Sequence, residues 1–242
     1  MTKIGIVGAG RLGTLIREAI EAGKAPECEL VGVSSRTLGV TPMDLVAKGA
    51  QILIEASKPE ALKGFLLEVL AAGVSVIPLS TGALADPEFL EQVRQTAREH
   101  GSKVYLPHGA EGAFDLAATY SLGGNMKGTV VQYIPKRTPE MARSPMAALP
   151  EQFHGTVLEG FALSPAHLNV LIAAAIACGG FENTYYETRL AEPGKSGFSL
   201  ELENDLSSAT LLLSGKPGAS LFTMIALSAV ATLNRVTAPV TF

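Results

Sequence analysis

The sequence predicts an α/β protein: an N-terminal doubly wound parallel sheet followed by a smaller α+β domain. Three observations predict it. The chain opens with an apolar, largely β-branched run, Ile4-Gly5-Ile6-Val7, of the kind a strand buried on both faces needs. Apolar runs of strand length then alternate with helical periodicities as far as residue 107. Beyond that point the pattern changes to period-two strands and two strongly apolar helices. The expected domains are residues 1–107 and 108–218, with the last helix, about 219–242, packing back on the first domain.

The first strand runs straight into Gly8-Ala9-Gly10-Arg11-Leu12-Gly13, after which Leu12, Ile16, Ala19 and Ile20 recur at helical spacing. A G-x-G-x-x-G between a strand and a helix is the dinucleotide turn of the Rossmann arrangement. Gly8 permits the tight turn, Gly10 leaves the backbone open to a pyrophosphate, and Gly13 lets helix and strand approach closely. The helix N-terminus, starting at Arg11 and Leu12, faces the phosphates. Without the flanking strand and helix the same spacing would be only a glycine-rich turn.

Gly23 and Pro26 end the first helix, and Glu29–Val33 reads as the second strand. An acid at its end would hold the ribose 2′-hydroxyl of NAD. The segment reads Ser34-Ser35-Arg36-Thr37 instead. A carboxylate would repel a 2′-phosphate, whereas Arg36 pairs with one and stacks on adenine. The expected cofactor is therefore NADP, with NAD as the other candidate. The plainer reading of Arg36 is a solvated loop residue.

Ala50–Glu55 reads as the third strand, Ala61–Ala72 as a helix closed by Gly73, and Val74–Pro78 as the fourth strand. Pro87–His100 is an amphipathic helix ended by Gly101, and Val104–Leu106 begins another strand. Loops at the carboxyl ends of parallel strands line the ligand crevice. Ala56, Ser57, Ser80 and Thr81 are thus candidate cofactor contacts.

In the second half, Leu116–Tyr120 reads as helix and Thr129–Ile134 as strand, and residues 136–150 form a proline-rich loop that is a candidate lid. Thr156–Ala162 reads as strand, Asn169–Cys178 as an apolar helix, and Thr184–Leu190, Phe198–Glu203 and Thr210–Ser214 as strands. Ala219–Arg235 is a long apolar helix. The expected architecture is an open sheet with helices on one side.

Composition narrows the function classes. The 242 residues are 47% hydrophobic and 17% charged, and the net charge of −4 gives no reason to expect a nucleic acid partner. No apolar run reaches bilayer-spanning length, so no membrane partner is expected. With the first strand starting at residue 3, no secretory leader is expected, and the expected location is the cytoplasm. Cys28 and Cys178 lack metal-ligand spacing and read as reduced structural thiols. The four histidines, at 100, 108, 154 and 167, form no zinc pattern. The apolar helices 169–178 and 219–235 carry more hydrophobic surface than one small sheet covers, which predicts a homodimer.

Several landmarks in order resemble the L-aspartate dehydrogenase family. They are the glycine turn, Glu55-Ala56-Ser57-Lys58-Pro59-Glu60-Ala61, Ser80-Thr81-Gly82-Ala83-Leu84-Ala85-Asp86, and Pro107-His108-Gly109-Ala110-Glu111-Gly112-Ala113-Phe114-Asp115. Glu159-Gly160, Asn169-Val170, Glu192-Pro193 and Gly215-Lys216-Pro217-Gly218-Ala219-Ser220 continue the likeness. The resemblance implies hydride transfer between a nicotinamide and the carbon of a small amino or imino acid. It also implies a homodimer, and a place for Ala110 and Asn169 at the nicotinamide end. Asn169 would otherwise be a helix N-cap.

Departures fall on the motifs that form the family's substrate pocket. Its catalytic histidine lies a few residues after the landmark matched by Glu192-Pro193, where this chain has none and Phe198 aligns instead. His108 replaces a family serine and His167 a family asparagine. Candidate proton carriers are thus His108, His167 and Lys195, the histidines because their pKa lies naturally near neutrality. Phe198 suggests a larger or less polar substrate. Lys136, Arg137 and Arg189 are candidate carboxylate anchors, and Asp115 reads as structural. A protein that kept the nucleotide site and lost catalysis is the alternative reading.

Overall fold

The computed structural model describes residues 1–109, 113–135, 149–165, 167–191, 197–216 and 220–241. The chain divides into two compact units, Met1–Gly109 with Phe222–Phe242, and Ala110–Leu221.

The first unit is built on four parallel strands: β1 (Thr2–Val7), β2 (Cys28–Ser34), β3 (Ile52–Glu55) and β4 (Ser75–Pro78). Their order is β2-β1-β3-β4, so the chain winds outward from β1 in both directions and the switch point falls beside β1. The expected strand at Val104–Leu106 is reduced to a single parallel bridge between Val76 and Val104. Helix α1 (Arg11–Glu21) and the last helix, α8 (Leu221–Thr237), share one core with the sheet. Ile4, Ile6, Ile52, Ile54 and Ile77 pack there against Ile16 and Ile20 from α1 and Ala226, Ala229 and Leu233 from α8. Helices α2 (Pro42–Ala47), α3 (Pro59–Ala71) and α4 (Pro87–His100) form the other layer.

Local chemistry explains the ends of these elements. Asp86 caps α4 by accepting from the amides of Glu88 and Phe89, Pro87 starts the helix, and Gly101 ends it at φ 65°. The short α2 is held by a reciprocal capping box, with Thr41 accepting from the Asp44 amide and Asp44 from the Thr41 amide. The sequence reading missed α2.

The second unit contains α5 (Phe114–Tyr120), β5 (Lys127–Ile134), β6 (Phe153–Thr156), α6 (Val157–Leu163), α7 (Asn169–Ala177), β7 (Thr184–Leu190), β8 (Gly197–Glu203) and β9 (Ser208–Ser214). The sheet order is β6-β7-β5-β8-β9, with β5 parallel to β7 and the other pairs antiparallel. Val130, Ile134, Tyr186, Leu200 and Leu202 point to the face covered by the helices, where Leu171, Ala174 and Val157 join them. Within that core the Tyr186 hydroxyl donates to the Gln132 side chain, which satisfies two buried polar groups at once. Burial pushes the Tyr186 phenol pKa up, and that of the Cys178 thiol to about 11.

One element differs in kind from its expectation. Thr156–Ala162, expected as strand, is the end of β6 followed by α6. Thr156 and Glu159 form a capping box, each side chain accepting from the other's amide, and this reciprocal pair starts the helix. The apolar helices also bury their faces within their own units: Leu171, Ile172 and Ala173–Ala175 of α7, and Ala226, Ala229, Val230 and Leu233 of α8. Exposed apolar side chains remain at the start of α8, at Phe222 and Met224, and on β9, where Leu212 is 59% exposed.

A candidate dinucleotide site at the strand ends of the first unit

The parallel strands of the first unit all end at one edge, and the loops leaving them carry most of the residues singled out in the sequence. The glycine turn is held at the switch point. The Gly8 amide donates to the Ser34 carbonyl at 2.8 Å, and the Ala56 amide donates to the Val7 carbonyl at 2.8 Å. The ends of β1, β2 and β3 are thus tied together through backbone alone. Gly8 has φ 114°, and a Cβ there would strike the Ala56 carbonyl. A Cβ on Gly13 would strike the Gly8 carbonyl, whereas one on Gly10 would meet nothing within 4 Å. The turn is closed on the protein side and open on the outer side. Among the described residues no side chain caps α1, so the helix N-terminus at Gly10–Gly13 is fitted to receive an anion. Arg11 is exposed and its guanidinium lies 4.4 Å from the centre of the Phe222 ring, over the start of α8. Leu12 packs against the core beneath the turn.

At the end of β2, Ser34 is 3% exposed and donates its hydroxyl to the Val40 carbonyl at 2.8 Å. That hydroxyl closes the following loop. Ser35 accepts from the Leu38 amide and shares a hydrogen bond with Thr37, shaping a 3-10 turn over Arg36–Leu38. Arg36 stands exposed on that turn, and among the described residues its guanidinium has no partner.

The ends of β3 and β4 hold the residue that sequence reasoning missed. Glu55 is wholly buried, and its carboxylate accepts from the Ser57 amide (2.6 Å), the Ser57 hydroxyl (2.7 Å), the Ser80 amide (3.0 Å) and the Ser80 hydroxyl (2.9 Å). Burial pushes its pKa up and the four hydrogen bonds pull it down, with burial the largest influence. A signal was present: one charge closing an otherwise apolar strand, Ile52-Leu53-Ile54-Glu55, with serine two residues on. Ser57 and Ser80, expected to serve the cofactor, spend their hydroxyl protons on Glu55. Thr81 lies buried at the start of a 3-10 turn, and Ala56 is buried against Gly8.

His108 is half-buried and lies as many residues beyond the Val76–Val104 bridge as Ser80 does, on the same strand-end edge. Two other candidates belong to the second unit. His167 is exposed, with its Nδ1 3.0 Å from the Ser164 hydroxyl. Asn169 is the first residue of α7, and the N-cap position belongs to Leu168.

Ala110, Lys136, Arg137, Lys195, the Glu192-Pro193 landmark and most of the candidate lid lie outside the described residues. Arg189 is paired with Glu187 at 2.7 Å and Glu201 at 2.9 Å, so two carboxylates of its own sheet already hold it. Phe198 is partly buried and packs against the hydrophobic core of its unit. Asp115 is exposed in the first turn of α5. Among the described residues no cluster of His, Cys, Asp and Glu is placed to hold a metal ion, and no helix is long and apolar enough to cross a membrane.

A phosphate-ready glycine turn at the switch point of a parallel sheet, joined to a mixed-sheet unit, defines a nicotinamide-dinucleotide-dependent dehydrogenase. Residues 8–107 match the family model described as homoserine dehydrogenase, NAD binding domain. Over 99% of its length the chain is similar to the L-aspartate dehydrogenases of Methanocella arvoryzae and Methanosarcina acetivorans, each at 27% identity and with 98% of the relative covered. The fold matches the crystal structure of aspartate dehydrogenase from Thermotoga maritima with a TM-score of 0.72, at 20% identity, over 100% of this chain and 99% of that one. The scyllo-inositol dehydrogenase of Lactobacillus casei matches at a TM-score of 0.55 and 15% identity, over 100% and 92% of the two chains. The likeness to L-aspartate dehydrogenases suggested by the landmarks thus extends across the whole chain.

Proposed function

We propose that this protein is an NADP-preferring oxidoreductase of aspartate dehydrogenase type. It would move hydride between the nicotinamide and the CH–NH2 or C=N carbon of a small amino or imino acid, with aspartate and iminosuccinate as the first pair to test. The observation that carries the reading is the strand-end edge itself. An uncapped helix N-terminus behind an open glycine turn stands next to a β2 loop that ends in Arg36 and bears no acid. That combination suits a pyrophosphate and a 2′-phosphate together.

The nicotinamide, when bound, supplies or accepts the hydride. The remaining work falls to the protein. Gly8–Gly13 and the head of α1 hold the pyrophosphate, and Arg36 with the Ser35 and Thr37 hydroxyls receives the 2′-phosphate. His108 shares the strand-end edge and is the first candidate for moving a proton at the substrate nitrogen. His167, Lys195, Ala110 and Asn169 keep the roles expected from the sequence as candidates for mutagenesis. The cytoplasm is the proposed place of action and a homodimer the proposed assembly. The exposed leucines of the edge strand β9 support the homodimer.

The test is NADPH oxidation, followed by absorbance, with oxaloacetate and excess ammonium, run beside NADH. Turnover with NADPH supports the reading. Confirmed NADPH binding without turnover on a panel of oxo acids and amines favours the second reading, a nucleotide-binding homologue without catalysis. The absence of any histidine from Glu192 to Ser199 is the observation on its side.

A further inference from the structure

A carboxylate removed from water must recover its lost hydration from fixed donors. Glu55 recovers it from four, and these come in pairs from two different loops: the amide and hydroxyl of Ser57 after β3, and the amide and hydroxyl of Ser80 after β4. The link continues to β1. The Ala56–Ser57 peptide, whose N–H donates to Glu55, lies flat against Gly8. A Cβ on Gly8 would meet the Ala56 carbonyl and come within 3.2 Å of the Ser57 nitrogen. The Leu79 amide donates to the Glu55 carbonyl at 2.9 Å, which ties the start of the β4 loop to the same residue. The Glu55 carboxylate therefore joins the β3 and β4 loops, and the backbone it holds rests on the turn after β1.

The position matters for a dinucleotide. The β2 end takes the adenosine ribose and the glycine turn the pyrophosphate, so the ends of β3 and β4, on the other side of β1, fall to the nicotinamide half. We propose that Glu55 is a positioning residue of the dinucleotide site. Its carboxylate locks the β3 and β4 loops to each other, on top of the glycine turn, into one floor against which the nicotinamide half is bound in a single geometry. The proposal rests on the dinucleotide reading above. Glu55 itself need touch neither cofactor nor substrate. Its shell also shows why an amide cannot replace it. Glutamine has one acceptor oxygen where Glu55 uses two, and its NH2 would face the Ser80 N–H, a donor against a donor.

The experiment compares the unaltered chain with Glu55→Gln, measuring the affinity for NADPH and for adenosine 2′-monophosphate, a fragment that reaches only the β2 end. NADPH affinity is expected to fall by roughly tenfold or more in the variant while fragment affinity stays unchanged. A purely structural role would weaken both ligands together or neither, and either result overturns the proposal. Should Glu55→Gln fail to fold, the double variant Ser57→Ala/Ser80→Ala keeps the carboxylate and both amide donors. It is expected to weaken NADPH by about threefold with the fragment again unaffected, and unchanged NADPH affinity there overturns the proposal. If the unaltered chain binds no NADPH, the dinucleotide reading falls and this proposal with it. If the unaltered chain binds and the variants bind equally well, only the proposal falls.

Discussion

A Cβ placed on Gly13 would occupy the space of the Gly8 carbonyl, so the first turn of α1 and the end of β1 are in contact through backbone alone. Gly10, between them, faces open space. Alanine at these two positions should therefore fail in different ways. Gly13→Ala forces helix and strand apart and is expected to lower the melting temperature and abolish dinucleotide binding. Gly10→Ala should change stability by about 1 kcal/mol or less while losing affinity for NADPH, because its methyl group stands where the phosphates approach. Thermal melting and NADPH titration of the two variants check this. Unaltered affinity in Gly10→Ala would place the phosphates elsewhere.

Arg36 tests cofactor choice. Its guanidinium is exposed on the Arg36–Leu38 turn, while Ser34 is committed to the Val40 carbonyl. Arg36→Ala is expected to weaken NADPH by roughly ten- to a hundredfold, the range for a hydrogen bond to a charged group, and to leave NADH nearly unchanged. Equal weakening of both would mean that Arg36 supports the loop rather than reading a 2′-phosphate.

The Arg189 network should be structural and not substrate-binding. Arg189→Met is expected to leave substrate KM unchanged and to cost about 1 kcal/mol or less at neutral pH, since the pairs are partly exposed. The Arg189 guanidinium holds the Glu187 carboxyl below its ordinary pKa. Such a group contributes stability above its unfolded pKa and loses it as pH falls through the folded value. The gap between unaltered chain and variant should therefore close as pH drops below about 4. Denaturant midpoints at neutral and acid pH measure it. A raised KM at neutral pH would restore Arg189 as a carboxylate anchor.

Strand β9 should mark the surface between two copies of the chain. It is the sheet edge beyond β8, with Leu212 59% and Leu211 39% exposed. Leu212→Lys is expected to shift the unaltered chain's dimer toward monomer in sedimentation at micromolar concentration. A monomeric unaltered chain would remove the claim outright.

The Glu55 carboxyl predicts a pH trend of opposite sign to that of Glu187. Its folded pKa is raised, chiefly by burial. A group of that kind contributes stability that is full below the unfolded pKa, about 4.3 for glutamate, and is lost as pH rises through the folded value. Relative to Glu55→Gln, the unaltered chain should become less stable as pH rises out of the ordinary carboxylate range. Melting temperatures across that range give the sign, and a flat difference would mean that the four hydrogen bonds cancel the cost of burial.

By itself the sequence determined the class of fold and the strong local signals. A β-branched run before G-x-G-x-x-G and a helical period after it specify strand, turn and helix within a dozen residues, because each rests on contacts between near neighbours. Pro87 and Gly101 bracket α4 for the same reason. The tertiary structure decided what depends on partners far along the chain. Thr156–Ala162 has an apolar pattern too short to separate strand from helix. The Thr156–Glu159 capping box and the pairing of Phe153–Thr156 with β7 made it the end of one and the start of the other. Phe198 packs against the core because β8 turns that face toward the helices, and Arg189 is held by carboxylates of its own sheet because folding sets Glu201 beside it. Glu55 reads in the sequence as one acid ending a strand. Only the meeting of the β3 and β4 loops, with Ser80 25 residues away, surrounds it with the donors that let its charge be buried.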